Sequence, residues 1–161
     1  MAKVLVVYYS LGGTTKRVAS ALAKLTGADI EVVQEVRPRY RTPWGYFRCI
    51  LDSLRKRHAP IEPLHHDPAA YDVVVVGTPV WADHISSPIR TLLADRMAGA
   101  KRIAAFCTLM GPKAEIAFAE ITTLCGQPPN PLTSFREKDV ESGSASEAIH
   151  ALAREVSEDA A

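Results

Sequence analysis

The sequence predicts an α/β protein: a doubly wound, three-layer fold on a five-stranded parallel sheet of order 2-1-3-4-5, in one domain covering residues 1–161. Three observations predict it. Val4-Leu5-Val6-Val7-Tyr8 and Val73-Val74-Val75-Val76 are continuous, mostly β-branched runs, as expected for strands covered on both faces. Segments of helical periodicity lie between the strand-like runs, so crossovers link the strands and helices cover both faces. The 161 residues are enough for a single sizeable core.

The elements follow in order. Strand 1 is Val4–Tyr8. A helix over Thr14–Leu25 places Val18, Leu22 and Leu25 on one face, and Gly27 stops it. Ile30–Val33 is a weaker second strand. The crossover Glu35–Tyr71 contains a helix opened by Thr42-Pro43, with Trp44, Phe47, Leu51 and Leu54 as its apolar stripe. Strand 3 is Val73–Val76. Ser87-Pro88 gives a cap and first-turn proline for a helix to about Arg96. Ile103–Phe106 is strand 4, Gly111-Pro112 opens a helix to Leu124, and Leu132–Phe135 is strand 5. Ser144-Ala145-Ser146-Glu147 reads as a capping box before Ile149, Leu152 and Val156. Ser157–Ala161 is expected to fray.

Composition narrows the class. At 47% hydrophobic and 23% charged residues, a disordered or fibrous chain is excluded. No apolar run reaches bilayer-spanning length. Val4–Tyr9 is too short, and too soon followed by Gly12-Gly13, for a signal peptide. A cytoplasmic protein with no membrane partner is therefore expected. Cys49, Cys107 and Cys125 have no paired spacing and read as isolated thiols. The net charge is only +1, but residues 37–57 hold seven bases and one acid, leaving the remainder at −5. The segment lacks the aromatic interleaving of a nucleic-acid surface, so no nucleic-acid partner is expected. His65-His66-Asp67 has no metal-ligand spacing.

In this order of strands, ligands bind beyond the carboxyl ends of strands 1 and 3. After strand 1 come Tyr9, Ser10, Leu11, Gly12, Gly13, Thr14 and Thr15, leading into a helix N-terminus. Unpaired N–H groups and the helix dipole favour an anion there. Gly12 and Gly13 let the backbone curl around a phosphate, and Ser10, Thr14 and Thr15 add hydroxyl donors. A P-loop and a G-x-G-x-x-G motif are both absent. After strand 3 come Gly77, Thr78, Pro79, Val80, Trp81, Ala82, Asp83 and His84, where Trp81 can wall a flat ring and the turn peptides can meet its edge. Cys107, Thr108, Leu109, Met110 and Gly111 follow strand 4, where small groups and backbone N–H groups can meet the ring's far edge.

These segments resemble the flavodoxin family. Ser10, Gly13 and Thr15 match its phosphate loop, S/T-x-S/T-G-x-T, with Gly12 departing. Gly77, Trp81 and Asp83 match its second loop, G-x-x-x-W-G-D, with Ala82 in place of glycine. The resemblance implies a flavodoxin-like fold and one FMN. Ser10, Leu11, Gly12, Gly13, Thr14 and Thr15 would hold the phosphate. Pro79, Val80, Trp81, Ala82 and Asp83 would hold the ring, and Cys107, Thr108, Leu109 and Gly111 its far edge. It also implies that the peptide at Ala82 changes orientation with the ring's oxidation state, a change that alanine makes costlier by about 1 kcal/mol.

The expected function is electron transfer to a redox partner protein or small-molecule acceptor. The alternatives are an FMN-dependent NAD(P)H quinone or nitro reductase, and a cofactor-free interaction protein on the same fold. Electron-carrying flavodoxins are typically acidic; the basic segment here points instead to an acidic partner or anionic substrate.

Overall fold

A computed structural model describes residues 1–158 of the chain. In chain order the elements are β1 (Val4–Tyr8), α1 (Thr14–Thr26), β2 (Asp29–Val32), α2 (Pro43–Leu54), a 3-10 turn (Pro68–Ala70), β3 (Val73–Trp81), β4 (His84–Ile85), α3 (Ser87–Asp95), β5 (Ile103–Leu109), α4 (Glu115–Cys125), β6 (Leu132–Arg136), α5 (Glu137–Ser142) and α6 (Ser146–Glu158). Five strands run parallel in the order β2-β1-β3-β5-β6, the arrangement expected from the sequence. The short β4 is an addition: it folds back antiparallel on the end of β3, pairing Trp81 with His84 and Val80 with Ile85.

The continuous apolar strands form the middle layer. Every β1 residue is buried, and its side chains divide between two cores. Val4, Val6 and Tyr8 pack with Val18 and Leu22 of α1, Phe106, and Ile149, Leu152 and Val156 of α6. Leu5 and Val7 pack on the opposite face with Ile89 and Leu92 of α3 and Ile121 of α4. Gly77 is needed at its place in β3 because a Cβ there would lie 2.4 Å from the Phe106 ring.

Several local expectations are corrected. Val18 and Leu22 are buried as expected, but Leu25 is 44% exposed, and α1 completes its buried face with Ala19 and Ala23. Helix α4 begins at Glu115 rather than at Gly111. Ser144 does not form the capping box; its hydroxyl bonds back to the carbonyl of Asp139, within the separate helix α5. Helix α6 continues through Ser157 and Glu158, and residues 159–161 lie outside the described part.

The largest correction concerns α2. Its start is as expected, with the Thr42 hydroxyl accepting from the Gly45 N–H at 3.1 Å. Its apolar stripe, however, faces outward: Trp44 is 68%, Phe47 51% and Leu54 57% exposed. The helix buries Gly45, Cys49, Asp52 and Ser53, and contributes no residue to either apolar core. Gly45 sits so close to the Tyr40 carbonyl that a Cβ would collide with it.

Candidate functional site

The carboxyl ends of β1 and β3, where the strand order reverses, open onto a cavity of about 300 Å³. Its floor is the segment joining β1 to α1. Gly13 occupies the N-cap of α1 at φ 103°, in the left-handed region, and its N–H donates to the Ser10 hydroxyl at 3.1 Å. Gly12, Thr14 and Thr15 line the cavity, so the start of α1, whose first N–H groups lack intrahelical acceptors, borders it. Thr15 is buried, its hydroxyl 2.7 Å from that of Thr108 on β5. Among the described residues no lysine or arginine lines the cavity.

Two expected loops are largely strand. β3 runs on through Gly77, Thr78, Pro79 and Val80 to Trp81, and β5 includes Cys107, Thr108 and Leu109. Ala82 and Asp83 are the two central residues of the β3–β4 hairpin, at φ 48° and 68°. Positive φ at both positions is the signature of a tight hairpin turn, and it is strained for a residue with a Cβ. Alanine thus already occupies the left-handed region here.

The hairpin is pinned from α4. Glu120 accepts from the Ile85 N–H at 3.0 Å, lies 2.7 Å from His84 Nδ1, and forms an ion pair with buried Arg90. Burial opposes the charge on Glu120, but these donors outweigh it and hold its pKa below the usual value.

Trp81 has a second support. The Tyr9 ring meets it edge-on, with centroids 5.7 Å apart, and the Arg39 guanidinium lies 5.3 Å from its ring centroid. Arg39 is buried and reaches Glu35 at 2.9 Å, Asp52 of α2 at 2.8 Å and Ser87 of α3 at 2.9 Å. The Tyr9 hydroxyl also donates to Glu35. One guanidinium therefore ties the crossover, α2 and α3 together beneath the tryptophan. Cys49, beside this cluster, has its thiol pushed up to about 11, chiefly by burial.

Most residues expected at the site line the cavity: Ser10, Leu11, Gly12, Thr14 and Thr15 on the floor, Pro79, Val80, Trp81 and Ala82 on one wall, and Thr108 and Leu109 on another. Four do not. Gly13 shapes the bend without lining it. Asp83 borders a separate hollow with Lys113 and Glu115. Cys107 points into the core at 0% exposure, and burial pushes its thiol up to about 12. Gly111 lies beyond the cavity wall, where Met110 stands instead.

Sequence reasoning missed Tyr46, Cys49, Ile50 and Glu137, which also line it. The first three come from α2: Cys49 lies on its buried side and Tyr46 and Ile50 on the margin of its exposed one, and periodicity could not tell those sides apart. Glu137 meets the floor across 123 residues of chain, accepting from the Thr14 hydroxyl at 3.2 Å, and no local signal marks it. Elsewhere, His65 and His66 cap buried Glu31 with their backbone N–H groups and rings. Among the described residues no cluster of histidine, cysteine or carboxylate side chains could hold a metal ion, and no helix is long and apolar enough to cross a membrane.

Comparison with known proteins places this geometry. The chain is 36% identical over 98 residues to an NAD(P)H dehydrogenase (quinone) of Cupriavidus metallidurans, a match covering 58% of this chain and 46% of that one. It thus spans about half the length of that relative. A flavoprotein from Lactobacillus acidophilus, solved in complex with FMN, superposes with a TM-score of 0.71 at 24% identity, covering 89% of this chain and 99% of the other. Oxidised flavodoxin 1 of Bacillus cereus has the same fold at a TM-score of 0.53 and 16% identity, covering 94% and 98%. The flavodoxin family profile matches residues 3–130. By that match over most of its length, the chain belongs to the flavodoxin family.

Proposed function

We propose that this chain binds one FMN in the cavity between β1 and β3 and acts as an electron-transfer protein, exchanging electrons with a redox partner protein or a small-molecule acceptor. The observation that carries the proposal is the joining of two features in one cavity: the dipole-rich start of α1 and the Trp81 wall.

The residues present fit the group. The Ser10 hydroxyl and the Gly12 and first-turn N–H groups of α1 offer neutral donors to a phosphate monoester, while the Thr14 hydroxyl donates to the Glu137 carboxylate beside them. Gly12 has open space where a side chain would stand. Leu11, Val80 and Trp81 supply apolar surface for a flat ring. A cavity of about 300 Å³ is at the small end for a ligand of this size, so one edge of the ring would face solvent, as electron exchange requires. The cofactor, when bound, supplies the redox chemistry. The chain's own residues position it: the α1 start fixes the phosphate, the Arg39 cluster holds Trp81, and Glu120 holds the hairpin.

The first test is flavin absorption retained by the purified chain after incubation with FMN and desalting. Absence of retained flavin from folded protein would overturn the proposal. A second reading, reduction of a quinone by NAD(P)H, is favoured by the similarity to the quinone-type dehydrogenase. Steady-state NAD(P)H oxidation in the presence of a benzoquinone separates the two. Turnover supports the enzyme, and its absence from flavin-loaded protein supports the carrier.

A further inference from the structure

Helix α2 is attached to the molecule in an unusual way. Its buried side is polar, held by Asp52 on Arg39 and by Ser53, whose hydroxyl donates to the Ile85 carbonyl. Its apolar side faces solvent. Trp44 and Phe47 stack on each other with centroids 5.6 Å apart and an interplanar angle of 26°, yet both are more than half exposed. Ile50 and Leu54 continue the ridge at 46% and 57% exposure. An apolar ridge of this kind marks a place where something else packs.

The charges around the ridge have one sign. Arg37, Arg41, Arg55 and Lys56 are exposed and Arg48 is half-buried. The only acid between residues 37 and 57 is Asp52, and it is turned inward onto Arg39 and Arg57. Residues 37–57 therefore present cations and apolar side chains outward with no exposed carboxylate of their own; Glu137, from α5, lies at the cavity that Tyr46 and Ile50 border. A second copy meeting it face to face would set like charges against one another. Arginine predominates over lysine here, and arginine, tryptophan and other aromatics are the residues that recur at the energetic centres of protein interfaces. Arginine also matches carboxylates with a planar fork.

The ridge leads to the cavity. Tyr46 and Ile50, from the same helix, form part of its wall. A protein seated on α2 would stand beside the open edge of whatever the cavity holds.

We propose that the outer face of α2 docks an acidic electron-carrier protein, with Trp44 and Phe47 at the centre of the contact and Arg37, Arg41, Arg48 and Arg55 pairing with the partner's carboxylates. The choice of an electron carrier rests on the electron-transfer reading of the cavity; the charge and apolar character of the partner do not. The surface has the opposite sign from the acidic faces typical of electron-carrying flavodoxins, so it selects a different set of partners.

The test is a calorimetric titration of the FMN-incubated chain with an acidic [2Fe–2S] ferredoxin at low ionic strength, with basic cytochrome c as the charge-reversed probe. Ferredoxin should bind and cytochrome c should not. Raising the salt to about 0.5 M should weaken binding at least tenfold, because the Debye length falls to a few ångströms. Two double variants, Trp44→Ser with Phe47→Ser and Arg48→Glu with Arg55→Glu, should each weaken it about tenfold or more, with circular dichroism unchanged. No ferredoxin binding at low salt, equal binding by the variants, or preference for cytochrome c overturns the proposal. So does a dimer in sedimentation that the Trp44→Ser, Phe47→Ser pair dissociates, or capture by phosphatidylglycerol vesicles that the same pair abolishes, since either gives the face another occupant. The titration reads protein binding alone, so a chain that takes up no flavin would sink the cofactor reading and leave this result standing.

Discussion

Replacing Arg39 with methionine should destabilise the protein by about 3 kcal/mol. Its guanidinium is buried and contacts Glu35, Asp52 and Ser87 at 2.8–2.9 Å. Removing one partner from a buried ion pair costs roughly 3–5 kcal/mol, because the other charge stays buried without compensation. Here the loss falls at the lower end: Asp52 keeps Arg57 at 3.1 Å and Glu35 keeps the Tyr9 hydroxyl at 2.9 Å. With a urea slope of about 2 kcal/mol/M for a domain of this size, the midpoint should drop by about 1.5 M. Arg39→Lys keeps the charge but cannot reach all three acceptors at once, so it should fall between the two. The double variant Arg39→Met, Glu35→Gln should lose less than the sum of the single changes, since each removes the other's uncompensated charge. Flavin affinity should fall with Arg39→Met as well, because Trp81 and α2 lose a shared support. A midpoint within about 0.3 M of the parent, or full additivity in the double variant, would refute the idea that this guanidinium clamps the site.

Three further outcomes are expected. Ala82→Gly should raise stability by about 1 kcal/mol in urea unfolding, since alanine at φ 48° carries left-handed strain that glycine does not; no gain would mean that the strain is absorbed elsewhere. Glu137→Gln should tighten FMN binding by roughly fivefold in a calorimetric titration, because the carboxylate at Thr14 repels a phosphate with an energy on the order of 1 kcal/mol at a screened, partly exposed site; unchanged or weaker binding would remove Glu137 from the electrostatics of the floor. Acid should weaken the fold through Glu31 and Glu120. Both are held below their ordinary value of 4.5, against burial, by His65, His66, Ile85, His84 and Arg90. A carboxylate depressed in this way adds stability that is fully present above its unfolded value and is lost as pH falls through the folded one. Denaturant midpoints should therefore be steady above about pH 5 and decline below it, and the Glu31→Gln, Glu120→Gln double variant should flatten that decline.

What the sequence revealed and what it concealed divide along physical lines. The parallel sheet was legible because strands buried on both faces must be apolar throughout, and Val4–Tyr8 and Val73–Val76 meet that demand locally. The dipole-rich bend before α1 was legible because glycine and hydroxyl residues are needed in adjacent positions. Orientation was not legible for α2. Periodicity showed that Trp44, Phe47, Leu51 and Leu54 share a side, but the choice of inner side was made by Arg39, four residues before the helix begins, pulling Asp52 inward. The β3–β4 hairpin was missed because Ala82 and Asp83 lack the glycine that announces such a turn. Cys107 was placed at the site by position alone; β5 continues through it, and strand alternation sends its thiol into the core. Glu137 and Thr14 meet only in three dimensions.

The central claim is that the start of α1 is built for a phosphate. Calorimetric titration of the chain with FMN and, separately, with riboflavin tests it most directly, because the two ligands differ only in that group. Several charge-assisted hydrogen bonds, each contributing about 1.5 kcal/mol or more, predict that FMN binds at least a hundredfold tighter than riboflavin. Equal affinities, or no heat with either ligand, would contradict the account.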